Sequence, residues 1–321
     1  MTEFAKPRIV VSRCLGFAPC RYDGTIIPDP VIAALEPHAE FVPVCPEVEI
    51  GLPVPRPPLR LVRKGEEIRM VQPETGRDVT EKIQEFSRAF LGGLPEVDGF
   101  ILKNRSPSCA LRDAKVYASA EKGPAQGHAP GLFGRAVRES FPYLPAEDEG
   151  RLTNRGLREH FFTAVFALAR LREVEKEGGM GELVAFHTRY KLVLMAQGQT
   201  KLGELGRIVA NPEHRPWREV IARYAEVFRK NMLRPPRRTA VINALQHAFG
   251  HVSNYLTPRE RRYFLELLEQ YRVGRIPSRV PLEVLRAWVL RFGEGYLAEQ
   301  ALFQPFPDAL LLPLDSGKEG E

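Results

Sequence analysis

The stretch RIVVSRC, residues 8–14, decides the fold. Ile9, Val10 and Val11 follow one another without polar alternation, which reads as a strand buried on both faces, as in a parallel sheet. Cys14 lies just past its end. Two further apolar runs repeat the arrangement: EFVPV at 40–44 runs into Cys45, and GFIL at 99–102 leads through KNRSPSC to Cys109. Between them lie helix-like stretches, one over 30–35 and one over 80–91 that opens with Thr80 as its predicted cap. Strands alternating with helices predict an α/β domain with a mainly parallel, Rossmann-like sheet. Such sheets deliver the residues at their strands' carboxyl ends to a common crevice. Cys14, Cys45 and Cys109 are therefore expected to meet there, where three soft thiolates would suit an iron-sulfur cluster or zinc.

A chain of 321 residues with 44% hydrophobic content is long enough for two cores. No run of about 18 apolar residues occurs, and the opening MTEFAKP has no apolar signal region, so the expectation is a cytoplasmic protein without a membrane partner. In that reducing compartment four cysteines point to metal binding or catalysis rather than to disulfides. Charge is uneven: residues 1–145 carry 19 Lys and Arg against 18 Asp and Glu, whereas residues 151–300 carry 26 against 15. That second excess would attract a polyanion such as RNA, although a solvated, arginine-rich surface produces the same count.

The proline-dense passage CPEVEIGLPVPRPPL, 45–59, cannot be regular helix or interior strand and is expected to wall the crevice or form a surface arm. Beyond about residue 150 the pattern becomes amphipathic helices, near 154–174, 182–196, 202–210, 216–229, 237–253, 258–271 and 281–291. Thr257, Pro258 and Glu260 form a helix start with a capping box. The polar end DSGKEGE, 315–321, is expected to fray. The reading divides the chain into an α/β domain over 1–148 and an all-α domain over 149–321.

Three blocks carry a resemblance. VSRCLG with CRYDG (11–16 and 20–24), CPEVEIGLPVPR (45–56) and KNRSPSC (103–109) resemble, in order, the signature blocks of the thiouracil desulfurase (TudS) family. The second half, including AFHTRYKLVLMA (185–196), LGRIVA (205–210) and LQHAFG (245–250), is similar to the YbgA-type helical domain often fused to it. The resemblance implies removal of sulfur from thiolated uracil by a 4Fe-4S cluster on Cys14, Cys45 and Cys109. Because both halves are present, it favours the tRNA 4-thiouridine desulfurases over relatives that act on free thiouracil. It also implies Glu47 and Ser106 as the catalytic pair. Where relatives usually have Gly after the last cysteine, this chain has Ala110.

The residues bear that chemistry. Three thiolates leave one iron of a cubane open to a thiocarbonyl sulfur. Glu47, two positions beyond Cys45, would share its side of an extended segment and could act as general base, with Glu49 as rival. Ser106 precedes Cys109 by one helical turn and could relay a proton; Ser108 is the alternative, and both could simply cap the turn. Lys103 and Asn104 could donate to developing charge. Cys20 could reach the same site as a fourth ligand, or be a buried small residue. Tyr22, Asp23 and Gly24 read as a turn closed by the aspartate. His247 and His251 have metal-compatible spacing, and His187 lies apart from them, but no third ligand is evident. Arg158, His160, Arg189, Tyr190, Lys191, Arg237, Arg238 and Arg272 mix cations with rings, as tRNA contact would require. The rival functions are a desulfurase of free thiouracil and a non-enzymatic, cluster-containing RNA-binding or redox-sensing protein.

Overall fold

The computed structural model describes residues 4–121 and 123–311. The predicted tail at 315–321 and the first three residues of the opening lie outside that range. The chain forms two compact units: one runs to Ala169 and takes up the chain again from Ala309, and the other is Arg170–Asp308.

In the first unit the elements are β1 (Arg8–Ser12), α1 (Pro30–Leu35), β2 (Glu40–Val44), α2 (Pro46–Glu49), β3 (Arg60–Lys64), β4 (Glu67–Gln72), β5 (Arg77–Asp78), α3 (Thr80–Gly92), β6 (Gly99–Leu102), β7 (Ala114–Tyr117), β8 (Ala125–Ala129), α4 (Leu132–Ser140), β9 (Ala146–Asp148), α5 (Glu149–Leu152) and the start of α6 (Arg155–Glu177). A parallel sheet in the order β2-β1-β6-β9 carries the predicted strands, with Val10 opposite both Val42 and Phe100. Ile9, Val10, Val11, Phe100, Ile101 and Leu102 have no exposed surface, as their unbroken apolar character requires. Pro43 is tolerated because β2 is an edge strand.

Helix α1 starts where Asp29 accepts from the N–H groups of Val31 and Ile32 at 2.9 and 3.0 Å, with Pro30 at the first helical position. Thr80 is not the cap of α3. It is the first helical residue, and its hydroxyl instead donates to Asp78 at 2.6 Å and accepts from the Met70 N–H at 2.8 Å, fastening the helix to β4.

A second sheet, β5-β4-β3-β7-β8, was not anticipated. Its centre is the hairpin β3–β4, turned by Gly65 at φ +61°, with Lys64 paired to Glu67.

The second unit is helical, as expected: the remainder of α6, α7 (Met180–Gln197), α8 (Gln199–Ala210), α9 (Trp217–Asn231), α10 (Arg238–Val252), α11 (Pro258–Arg272) and α12 (Arg279–Phe292). Thr257 and Glu260 make the predicted capping box. Phe186, Tyr190, Tyr224 and Phe228 pack ring on ring between α7 and α9, and Leu245, Phe264, Leu268 and Leu285 anchor a second cluster.

Candidate active site

The carboxyl ends of β1, β2 and β6 open onto one cleft of about 310 Å³, a size typical of small-molecule sites. Cys14, Cys20, Cys45 and Cys109 all line it, with Glu47, Arg56, Lys103, Asn104, Ser106 and Ser108. Cys14 arrives in the turn after β1, where its carbonyl accepts from the Ile27 N–H at 2.8 Å. Cys45 occupies the cap position of α2, and Pro46 starts that helical turn. Cys109 sits in a turn fixed against the start of α4: the N–H groups of Gly131, Leu132 and Gly134 donate to the carbonyls of Ala110, Pro107 and Ser108. A Cβ on Gly131 or Gly134 would stand 2.5 or 2.2 Å from those carbonyl oxygens, so the approach demands glycine at both positions. Ala110 is fully buried there.

The thiols crowd one another. Cys20, 5% exposed, is in hydrogen-bonding contact with both Cys14 and Cys45. Its contact with Cys14 raises its pKa, and its contact with Cys20, followed by burial, raises that of Cys45. Burial, then the charge of Cys45, pushes Cys109 up to about 12. Several thiolates become stable together in such a place only beside a compensating cation, so the donor set fits a metal centre. Among the described residues no three His, Cys, Asp or Glu side chains close in as ligands of a single ion. A cubane takes each thiolate on a different iron, and so fits this spread of donors better than a mononuclear zinc site.

Glu47 is 8% exposed. It does not reach the cleft by strand alternation, because Pro46–Glu49 is a helical turn rather than extended chain. One carboxylate oxygen accepts from the Ser108 hydroxyl at 2.6 Å; the other accepts from Arg56 Nε at 2.8 Å and Nη2 at 2.7 Å. Arg56, 6% exposed, also donates to the carbonyls of Cys20 and Pro53. Glu49 turns instead to Arg13, at 2.5 Å, and does not line the cleft.

Ser106 and Ser108 divide the roles that spacing left open. Ser106 Oγ accepts from the N–H groups of Ser108 and Cys109 at 3.3 and 3.1 Å, which is turn capping, and lies 3.0 Å from Ser108 Oγ. Because Ser108 donates its one hydroxyl proton to Glu47, Ser106 is the donor between the two serines. The result is a hydrogen-bonded path from Ser106 through Ser108 to Glu47.

Lys103 Nζ is bound by Glu149 and Asn104, and Glu149 also accepts from the Asn104 N–H at 2.9 Å. Asp23 closes its predicted turn by accepting from the Thr25 N–H and hydroxyl at 3.1 and 2.6 Å. Arg56, Glu149 and Ser12 escaped the sequence reading. Ser12 ends β1, accepts from the Lys103 N–H at 2.9 Å and hydrogen-bonds the Cys109 thiol. A lone serine closing an apolar central strand was its available signal.

In the helical unit His187 Nδ1 lies 3.2 Å from the Tyr224 hydroxyl, and His251 stacks on Tyr296. Tyr190 is enclosed by Phe186 and Phe228, which removes it from the candidates for RNA contact. In the first unit Arg158, 2% exposed, is removed too: its guanidinium donates to the carbonyls of Leu152 and Thr153. Arg237, Arg238, Arg272 and Lys191 are exposed, and His160 and Arg189 half-buried.

Residues 9–149 match the family model described as 2-thiouracil desulfurase, and residues 191–307 match one described as a protein of unknown function, DUF1722. The chain is similar to the uncharacterised protein YbgA of Escherichia coli, 26% identical over 46% of this chain and 89% of that one. It is also similar to the uncharacterised protein YbbK of Bacillus subtilis, 34% identical over 32% of this chain and 72% of that one. A solved structure described as a 4Fe-4S-dependent thiouracil desulfidase, TudS, is 31% identical over 46% of this chain and 93% of its own, with a TM-score of 0.36.

Proposed function

The chain belongs to the 2-thiouracil desulfurase family, and on that premise we propose that it converts 4-thiouridine in tRNA to uridine in the cytoplasm, using a 4Fe-4S cluster held by Cys14, Cys45 and Cys109. The observation that carries this reading is the meeting, in one cleft, of thiols from three separate segments with a buried carboxylate that has a hydroxyl path leading to it. When bound by three thiolates, the cluster supplies a Lewis-acidic iron without a protein ligand, which polarises the substrate's thiocarbonyl.

The remaining work falls to the protein. Glu47, its far oxygen held by Arg56, takes a proton from the water that adds to the ring carbon, acting as general base. Ser106 and Ser108 pass a proton along their hydrogen bonds between Glu47 and the substrate's ring. Lys103 and Asn104, fixed by Glu149, present donors toward the negative charge that develops on the pyrimidine. One water is consumed and sulfide leaves, so no electron donor is required.

The choice of tRNA is supported by the cationic excess of residues 151–300 and by the exposed Arg237, Arg238 and Arg272. A base in folded tRNA must leave its stack to reach such a cleft. The test compares anaerobically reconstituted protein on thiolated tRNA, 4-thiouridine and free thiouracil. The expected result is fastest turnover of tRNA, with KM rising steeply with salt for tRNA and little for the free base. Equal, salt-insensitive turnover of all three would make it a free thiouracil desulfurase, and failure on every thiolated pyrimidine would overturn the enzymatic reading.

A further inference from the structure

Ser12 ends β1 with 1% of its surface exposed, and no part of the proposed reaction uses it. A hydroxyl buried at the end of an otherwise apolar central strand needs partners, and Ser12 has two. Its oxygen accepts from the Lys103 N–H at 2.9 Å, which ties the end of β1 to the first residue beyond β6. The other partner is the thiol of Cys109. Ser12 stands two residues before Cys14, so it joins the segment that carries one ligand to the segment that carries another.

Cys109 meets a second hydroxyl, that of Ser108, at 3.9 Å. The two hydroxyls are not equivalent, because a serine has a single proton to give. Ser108 gives its proton to Glu47 at 2.6 Å, so toward Cys109 it presents a lone pair, which accepts from the thiol and offers nothing to a thiolate. Ser12 is placed the other way round. Its oxygen already accepts from Lys103, and its hydroxyl proton is left for Cys109. Once Cys109 has lost its proton to bind iron, Ser12 is therefore the one of the two that can donate to its sulfur. Such a bond draws electron density off the thiolate, which raises the cluster's reduction potential and leaves its irons more electron-poor.

We infer that Ser12 is a positioning residue for the cluster: it donates a hydrogen bond to the ligating sulfur of Cys109 and so increases the Lewis acidity that the substrate's sulfur meets. The inference rests on the desulfurase reading, with Cys109 as a ligand, and adds to it a residue that acts without touching the substrate.

The test compares anaerobically reconstituted wild type, Ser12→Ala, Ser12→Thr and Ser108→Ala by redox titration of the cluster's visible absorption, beside kcat on 4-thiouridine. The expected result is a midpoint that moves to more negative potential in Ser12→Ala and remains at the wild-type value in Ser12→Thr and Ser108→Ala. Turnover should fall in both alanine variants, for Ser12→Ala roughly tenfold, the lower end of what loss of an outer hydrogen-bond partner costs at a metal site. A hydroxyl that only fastened β1 to β6 would lower stability in urea and leave the potential where it was, and that outcome would overturn the inference. An equal shift in Ser108→Ala would overturn it too. Should Ser12→Ala not take up the cluster, the wild type decides: electron–nuclear double resonance of the reduced cluster in H2O and D2O should find an exchangeable proton close to a cysteinyl sulfur, kept in Ser12→Thr, and its absence would sink the assignment. Neither readout needs turnover. A shifted midpoint upholds the role of Ser12 even if no thiolated pyrimidine is desulfurated, and an unshifted one overturns it even if all are.

Discussion

The first unit buries Ser12, Glu47, Arg56, Ser108 and Asp148 among its apolar side chains; in the second, tyrosines apart, the buried polar side chain among the described residues is Gln300, which joins the Thr188 carbonyl to the Leu192 N–H. Gln300 does the ordinary work of a buried amide, bonding backbone groups in the middle of α7. The pair Glu47–Arg56 does not. A buried ion pair gains little over well-packed apolar residues, because the desolvation of two charges offsets their attraction. Its presence where four thiols converge therefore points to chemistry rather than stability. The helical unit shows the converse, a core of aromatic rings and leucines whose cationic surface faces water.

The harshest test of that contrast is to remove a thiol. Cys45→Ala should abolish both the visible absorption of the anaerobically reconstituted cluster and all desulfuration. Glu47→Gln should keep the absorption and lower kcat by roughly 10²–10⁴-fold, the span of general acid–base catalysis. If Cys14, Cys45 and Cys109 could each be replaced by Ala without loss of cluster, the ligand assignment would fall. Cys20→Ala, by contrast, should leave a cluster that still forms on the other three. Next in size comes the ion pair itself. Arg56→Met leaves Glu47 buried with the Ser108 hydroxyl but without its cation, and should cost about 3–5 kcal/mol in urea unfolding of the first unit, with much of the loss recovered in Arg56→Met/Glu47→Gln. A cost no greater than that of cutting one neutral hydrogen bond in the helical unit, about 1 kcal/mol, would erase the distinction between the two interiors.

How far the sequence anticipates this arrangement follows the range of the forces involved. Strands β1 and β6 were legible because burial on both faces leaves an unbroken apolar run, and β2, half-buried at the sheet edge, because Phe41, Val42 and Val44 still mark it just ahead of Cys45. The hairpin RLVRK-GE-EIRMVQ was written there too, with glycine in a two-residue turn, but charged residues on its outer face and the adjoining prolines concealed it. Nothing local marks AED as β9, since its partner β6 lies more than forty positions upstream in the chain. The cysteines were legible by position, whereas Arg56 was not, because its meaning depends on the return of residues 53–56 to Glu47 and Cys20. The three-residue step from Ser106 to Cys109 pointed to the right turn. Only the fold shows that Ser106 caps it while Ser108 touches the carboxylate.

The smallest effect lies in the helical unit, at the half-buried imidazole of His187. Burial, and then the charge of Lys191, lowers the pKa of His187 below its ordinary 6.5. The folded state therefore binds this proton less readily than the unfolded chain, so the contribution of His187 to stability is complete above pH 6.5. It is lost as pH falls from there through the folded-state value, because the unfolded chain takes up a proton that the native ring resists. Both tryptophans, Trp217 in α9 and Trp288 in α12, lie in this unit, so their fluorescence during urea unfolding follows it without interference from the other. His187→Gln keeps a group able to bond the Tyr224 hydroxyl while abolishing the titration. The expected outcome is a midpoint that falls between pH 7 and pH 5 by less in His187→Gln than in the wild type. Identical pH profiles would mean that protonation of His187 does not burden this core, and that its tolerance of polar groups is closer to that of the first unit than Gln300 alone suggests.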